Sequence, residues 1–176
     1  KGFAQRVSIN SSYNSSYSER YRISANGVKE ISDQRISYGF NPLIGLNLTF
    51  NKLFGGDLTG SFRYITKNNF VLGQANEKIN ENYNRDINVS LNFSKSGFEI
   101  PFFGISLKND LTVAVSYTRG QNTTFVYDMK EFQEDPEPLE GTVRTTIEPT
   151  IKYVMSSRVT LSIFYRRSSV TPEGAS

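Results

Sequence analysis

The chain has 176 residues, room for one domain on length alone, with 20 basic against 17 acidic side chains and a net charge of +3. That balance excludes the basic stripe expected of a nucleic-acid binder. It has no His and no Cys, which excludes disulfides, zinc–thiolate sites, thiol catalysis, Ser-His-Asp triads and His-ligated metals.

Apolar content is modest, at 37 %, but it is concentrated in 10 Tyr and 13 Phe. No apolar run approaches the roughly 18 residues of a membrane helix. The chain begins at Lys1 without a signal peptide, so the expectation is a mature or cut piece. There is no P-loop or GxGxxG, and neither enzyme activity nor a cofactor is expected.

Residues 3–25 carry Phe3, Val7, Ile9, Tyr13, Tyr17, Tyr21 and Ile23 on one parity, the period of a strand. Asn26-Gly27 is a hairpin signal. Folding the chain there sets Phe3 opposite Phe50, Val7 opposite Leu46, Ile9 opposite Ile44 and Tyr13 opposite Phe40, so turn register and apolar register agree. The second strand presents Ile36, Tyr38, Phe40, Pro42, Ile44, Leu46, Leu48 and Phe50 on one face, and Ser37, Gly39, Asn41, Leu43, Gly45, Asn47, Thr49 and Asn51 on the other.

Residues 51–57 read as a short turn. A third strand, 58–70, sets Leu58, Phe62, Tyr64 and Phe70 against Thr59, Ser61, Arg63 and Lys67. Residues 71–86 read as a long polar loop, and a fourth strand, 87–94, alternates Ile87, Val89, Leu91, Phe93 with Asn88, Ser90, Asn92, Ser94. After a turn at 95–103, a fifth strand, 104–120, sets Ile105, Leu107, Val113 and Val115 against Lys108, Asp110 and Thr112.

A second long loop, 121–141, is acidic. A sixth strand, 142–154, opposes Ile147, Ile151 and Tyr153 with Arg144, Glu148 and Lys152. The seventh, 158–168, presents Val159, Leu161, Ile163 and Tyr165. The polar tail has no evident partner.

Seven amphipathic strands suit either a soluble sandwich, whose oily faces meet internally, or the wall of a membrane barrel, whose oily faces meet lipid. Several strands reach eleven or more residues, beyond the five or six usual in soluble domains and near what a tilted strand needs to cross a bilayer. Short turns on one side and long loops on the other point the same way. The expected fold is therefore all-β: an antiparallel transmembrane β-barrel wall of about seven meandering strands. The closing strand is expected to be absent, because seven strands leave the chain on the outer side.

The lipid-facing set is then Ile36, Tyr38, Phe40, Ile44, Leu46, Leu48, Phe50, Val89, Leu91, Val113, Val115 and Ile163. The lumen-facing set is Asn47, Thr49, Arg63, Lys67, Asn88, Ser90, Asn92, Lys108, Asp110, Arg144, Glu148 and Lys152. With the long loops outward, Tyr13, Tyr38 and Phe40 fall near the outer interface. Phe50, Phe54, Phe93, Phe102, Phe103 and Tyr153 fall near the inner one.

The lumen charges, with Arg166, suggest a selectivity ring or mixed-sign pairs bonded across strands, the second being expected. Asp128, Glu131, Glu134, Asp135, Glu137 and Glu140 offer carboxylates suited to calcium, but without EF-hand spacing they read as a solvated loop.

Three stretches, "FNPLIGLNLTFNKLFGGDLTGSFRY", "GFEIPFFGISLKNDLTVAVSYTRG" and "EPTIKYVMSSRVTLSIFYRR", resemble the C-terminal part of the SprA/Sov family. That family is the outer-membrane translocon of the Bacteroidetes type IX secretion system. The resemblance implies a very large single-chain barrel in the bacterial outer membrane that passes folded cargo proteins to the cell surface and supports gliding motility. It also implies a PorV-like barrel and a periplasmic plug protein as partners. Two other functions fit the residues alone: another large transporter or porin barrel, and a soluble β-sandwich adhesin.

Overall fold

In a computed structural model the described residues are 5–73, 77–98, 109–130, 138–156 and 158–173. They form one antiparallel sheet and no helix. Its strands are β1 (Arg6–Asn10), β2 (Tyr13–Ile23), β3 (Lys29–Leu53), β4 (Gly56–Gly73), β5 (Lys78–Phe98), β6 (Asn109–Asp128), β7 (Pro138–Val154), β8 (Thr160–Phe164) and β9 (Arg167–Glu173). Each long strand pairs with the next from β3 to β7. β1 and β2 together cover one side of β3, and β8 and β9 together cover one side of β7. The nine segments therefore make seven rows of chain.

Both interruptions trace to proline. β8 and β9 share a single register against β7, with Phe164 opposite Thr150 and Arg167 opposite Ile147. The gap between them faces Pro149, which has no N–H to donate, so only Tyr165 N bonds there, to Pro149 O at 3.1 Å. On β3, Asn41, Pro42 and Leu43 stand opposite Ile65 alone, a bulge that inserts two extra residues. Asn41 N donates to Ser12 O and Ser12 N to Pro42 O, at 2.8 and 2.9 Å.

The bulge moves the expected register. Tyr13 does face Phe40, but Val7 faces Leu48 and Ile9 faces Leu46, two residues from the positions set by the turn alone. An insertion of two preserves parity, so Ile36 to Phe50 keep one face. Pro42 leaves that face: its Cγ lies 2.8 Å from where a Cβ on Gly45 would stand, and Asn10 Oδ1 lies 2.4 Å from the same point. A Cβ there would force Pro42 or the Asn10 side chain to shift.

The β3–β4 hairpin turns on Phe54 (φ 52°) and Gly55 (φ 75°), the paired positive φ values of a tight two-residue turn. The region expected as a loop at 71–86 is mostly strand. β4 runs to Gly73 and β5 starts at Lys78, with Gly73 opposite Lys78. Likewise β6 continues to Asp128 and β7 begins at Pro138. Cross-strand bonding carries both hairpins well past the apolar stretch, so polarity there marks a change of surroundings rather than the end of a strand. The tail is also corrected: residues 167–173 pair with Gly141–Ile147. Phe3, Phe102, Phe103, Lys108, the strand stretch 104–107 and most of the acidic loop (131–137) lie outside the described residues.

A single sheet has no interior. Among the described residues Tyr153 is the buried hydrophobic side chain, 3 % exposed, and Pro42 is fully covered. Ile44, Leu91, Ile151 and Ile163 are each about half exposed, at 44–57 %. Among the described residues no second layer covers the apolar face, and the outer sides of β1–β2 and β8–β9 pair with no strand.

Candidate functional site

Strand alternation and ladder register assign every described side chain on the strands to one of two faces. One straight row reads Ile9, Leu46, Phe62, Val89, Tyr117, Ile147; the next reads Val7, Leu48, Gly60, Leu91, Val115, Pro149; a third reads Phe50, Leu58, Phe93, Val113, Ile151, Ile163. All twelve residues expected to face lipid lie on this one apolar face.

The other face carries Ser8, Asn47, Ser61, Ser90, Ser116 and Glu148 in one row. The neighbouring row is Arg6, Thr49, Thr59, Asn92, Ala114 and Thr150. All the expected lumen residues share it, save Lys108, which is outside the described set. Small hydroxyls and amides tie this face together across strands. Ser61 and Ser90 Oγ are 2.7 Å apart, Asn47 Nδ2 donates to Ser8 Oγ at 3.3 Å, and Thr146 and Ser168 meet at 3.2 Å.

Of the cross-strand charge pairs expected on the polar face, one forms and most of the other charges stand unpaired among the described residues. Glu148 pairs with Arg166 across the Pro149 gap. Arg63, Lys67, Asp110, Arg144 and Lys152 make no ion pair among the described residues. The register gives the reason: Arg63 faces Asn88, Lys67 faces Asn84, Arg144 faces Gly120 and Lys152 faces Thr112, all neutral. Higher on this face, Asp33 lies between Arg20 and Arg35, at 3.6 and 3.5 Å, and Arg22 pairs with Glu30 at 3.3 Å.

The apolar face has a border. Phe40 and Tyr13 pack at 5.0 Å between ring centroids on β3 and β2. Phe40 faces Thr66, so Tyr64 on β4 stands two residues lower. Tyr64 faces Ile87, which faces Arg119, so Tyr117 on β6 is two residues lower again. Tyr117 faces Ile147, which faces Arg167, and Tyr165 is two lower still. The aromatic border thus falls by six residues over five strand-to-strand steps. The opposite border shifts in the same sense, from Phe50, Leu58 and Phe93 to Leu111, Tyr153 and Leu161.

Beyond the aromatic border the same face is mixed: Tyr38 stacks on Phe70 with ring centroids 5.9 Å apart and Tyr83 meets Phe125 edge-on at 6.5 Å, beside polar groups. Asn68 Nδ2 donates to Glu81 Oε1 at 2.8 Å, and Tyr127 OH donates to Glu81 Oε2 at 2.5 Å. Asn68 and Glu81 are 9 % and 8 % exposed. Burial, then the bond to the Glu81 carboxylate, pushes the Tyr127 phenol up to about 12. Gln121 Nε2 and Thr123 Oγ1 both donate to Glu173 Oε2, at 2.8 and 3.0 Å. Reading 71–86 and 121–141 as loops hid these groups; Glu81 at an apolar-parity position was the available signal.

Among the described residues no cluster of acidic side chains is placed to hold a metal ion. Asp128 instead accepts from Lys130 N at 2.9 Å. No model of a known protein family matches the chain, and no curated protein matches it either.

Proposed function

We propose that the sheet is a section of the wall of a protein-conducting outer-membrane channel, with its apolar face against lipid and its polar face lining an aqueous pore. The observation that carries this reading is the oblique apolar band. A border falling about 1.2 residues per strand, with a rise of ~3.4 Å per residue and strands ~4.8 Å apart, corresponds to a tilt of about 40°. Strands of outer-membrane barrels tilt about 35–45° to the bilayer normal, so the border becomes level at that tilt.

The height of the band agrees at the same tilt. On β5 the apolar face is bracketed by Arg85 and Lys95, ten residues apart. At that tilt they are separated by about 26 Å along the bilayer normal, against the roughly 25 Å apolar band of such barrels. A sandwich adhesin needs a second sheet on this face, and the described strands form only one. The two unpaired edges, long and exposed, suit a larger barrel wall in which further strands continue the ladder.

Among barrels, the SprA/Sov-like translocon of type IX secretion is favoured over a solute porin by the resemblance of three long stretches, together with the polar face. Ser, Thr, Asn and Ala at mid-height give passing proteins little to adhere to. On this reading secreted cargo proteins are the transported partners, while a PorV-like barrel and a periplasmic plug protein are expected partners by resemblance. The paired strands that rise beyond Tyr64 and Tyr117 face the cell exterior.

The test is depletion of the full-length protein. The expected result is an outer-membrane protein that requires detergent, with cargo accumulating in the periplasm when it is lost. Impaired solute uptake with normal secretion would favour the porin reading, and recovery in the soluble fraction would end the barrel reading.

A further inference from the structure

Three arginines lie on the apolar face, away from the proposed pore lining. Arg85 faces Gln121, which sets Arg119 two residues lower. Arg119 faces Thr145, which faces Ser169, setting Arg167 two residues lower again. The descent, four residues over three strand-to-strand steps, runs parallel to the aromatic border. Arg119 and Arg167 each stand two residues beyond its tyrosines, Tyr117 and Tyr165, and Arg85 stands one row beyond Tyr64. In a wall tilted by about 40° the three guanidiniums are level.

We propose that Arg85, Arg119 and Arg167 form a binding row for the phosphate groups of outer-leaflet lipid headgroups. The proposal rests on the membrane-wall reading and adds a ligand to it. None of the three makes an ion pair among the described residues. The nearest carboxylates on their face are already engaged, Glu81 by Asn68 and Tyr127 and Glu173 by Gln121 and Thr123. Positive charge at the edge of an apolar band therefore has no internal counter-ion among the described residues.

The row also has shape. Arg85 and Arg119 line a groove of about 140 Å³ with Tyr64, Tyr83, Ile87 and Gln121. Arg167 lines a second, of about 280 Å³, with Tyr117, Thr145, Ile147 and Ser169. Arg85 is held in place, its guanidinium carbon 3.7 Å from the centre of the Tyr83 ring and its Nη1 donating to Asn84 O at 2.7 Å. A planar guanidinium with spare donors suits phosphate oxygens, while tyrosine and isoleucine below it suit sugar faces and acyl chains.

The test uses the full-length protein in maltoside micelles, which carry no phosphate, with purified lipopolysaccharide as probe against its dephosphorylated form. Basic residues at a charged lipid surface contribute about fivefold each in affinity. Arg85 also bonds within the fold, so the primary variant is Arg119→Gln with Arg167→Gln. It should bind the phosphorylated probe roughly 25-fold more weakly, while Arg22→Gln, on the opposite face, binds normally.

Equal binding of the two probe forms by the native protein, or unchanged binding by the double variant, would overturn the proposal and leave the wall reading intact. Displacement of the probe by equimolar inorganic phosphate would overturn the assignment to lipid. A protein that needs no detergent would refute the wall reading itself.

Discussion

Leu91 sits on the central strand β5, on the apolar face, next to the midpoint between Arg85 and Lys95. It is 47 % exposed in the sheet, and in the proposed wall that exposed half meets lipid near the bilayer midplane. An arginine at such a depth costs about 2–4 kcal/mol in outer-membrane barrels, and about 0–1 near the interface. Leu91→Arg should therefore lower the equilibrium population of correctly inserted barrel by roughly 30- to 1,000-fold.

Ile44→Arg, also on the apolar face, should be damaging by the same rule, while Ile87→Arg, beside the Arg85 border, should fall near the interfacial value. Ser90→Arg projects from the other face, where it loses the 2.7 Å contact with Ser61, worth about 0.5–1.5 kcal/mol; Asn47→Arg should be similarly mild. The assay is abundance of heat-modifiable, protease-resistant barrel in the outer membrane of cells expressing each full-length variant. Equal damage from Leu91→Arg and Ser90→Arg, or no difference between Leu91 and Ile87, would refute the face and depth assignments.

Two further outcomes are expected. Changing Asn88, Ser90 and Asn92 together to Leu leaves the lipid face intact but puts an adhesive apolar patch on the pore wall. Cargo should accumulate in the periplasm at normal barrel abundance, whereas the same triple change to Ser or Thr should be silent; normal secretion by the Leu variant would contradict the conduit. At alkaline pH, the Tyr127 phenol, raised to about 12, favours the folded state below its unfolded value of about 10. That contribution disappears as pH rises through the window from 10 to 12. Ultraviolet titration should find Tyr127 ionising late, and Glu81→Gln should bring it earlier; no change in that variant would remove Glu81 as a cause.

Much of this arrangement was legible in the sequence because a half-buried sheet writes its faces with a period of two. The even positions from Ile36 to Phe50 and the odd ones from Ile87 to Phe93 declared both strand and face, and hence the seven rows. What was not legible came from long-range bonding. Nothing local to Asn80, Asn82 and Asn84 says strand; they extend β5 because β4 and β6 offer partners on either side.

Register slipped by two residues at Asn41–Leu43 because a bulge is decided by what Pro42 cannot donate, which alternation does not reveal. Pro149 interrupted the last row for the same reason. The arginine row was hidden differently. Arg85, Arg119 and Arg167 are far apart in sequence, and they align only once the register and the tilt are known.

The central claim is that one face of the sheet meets water in a pore and the other meets lipid. Single cysteines at positions 87 to 93 of the full-length protein, in intact outer membranes, test it with a small water-soluble thiol reagent, since this chain contributes no native cysteine. The account predicts labelling at Asn88, Ser90 and Asn92 and protection at Ile87, Val89, Leu91 and Phe93. Uniform labelling, uniform protection or the reverse alternation would contradict it.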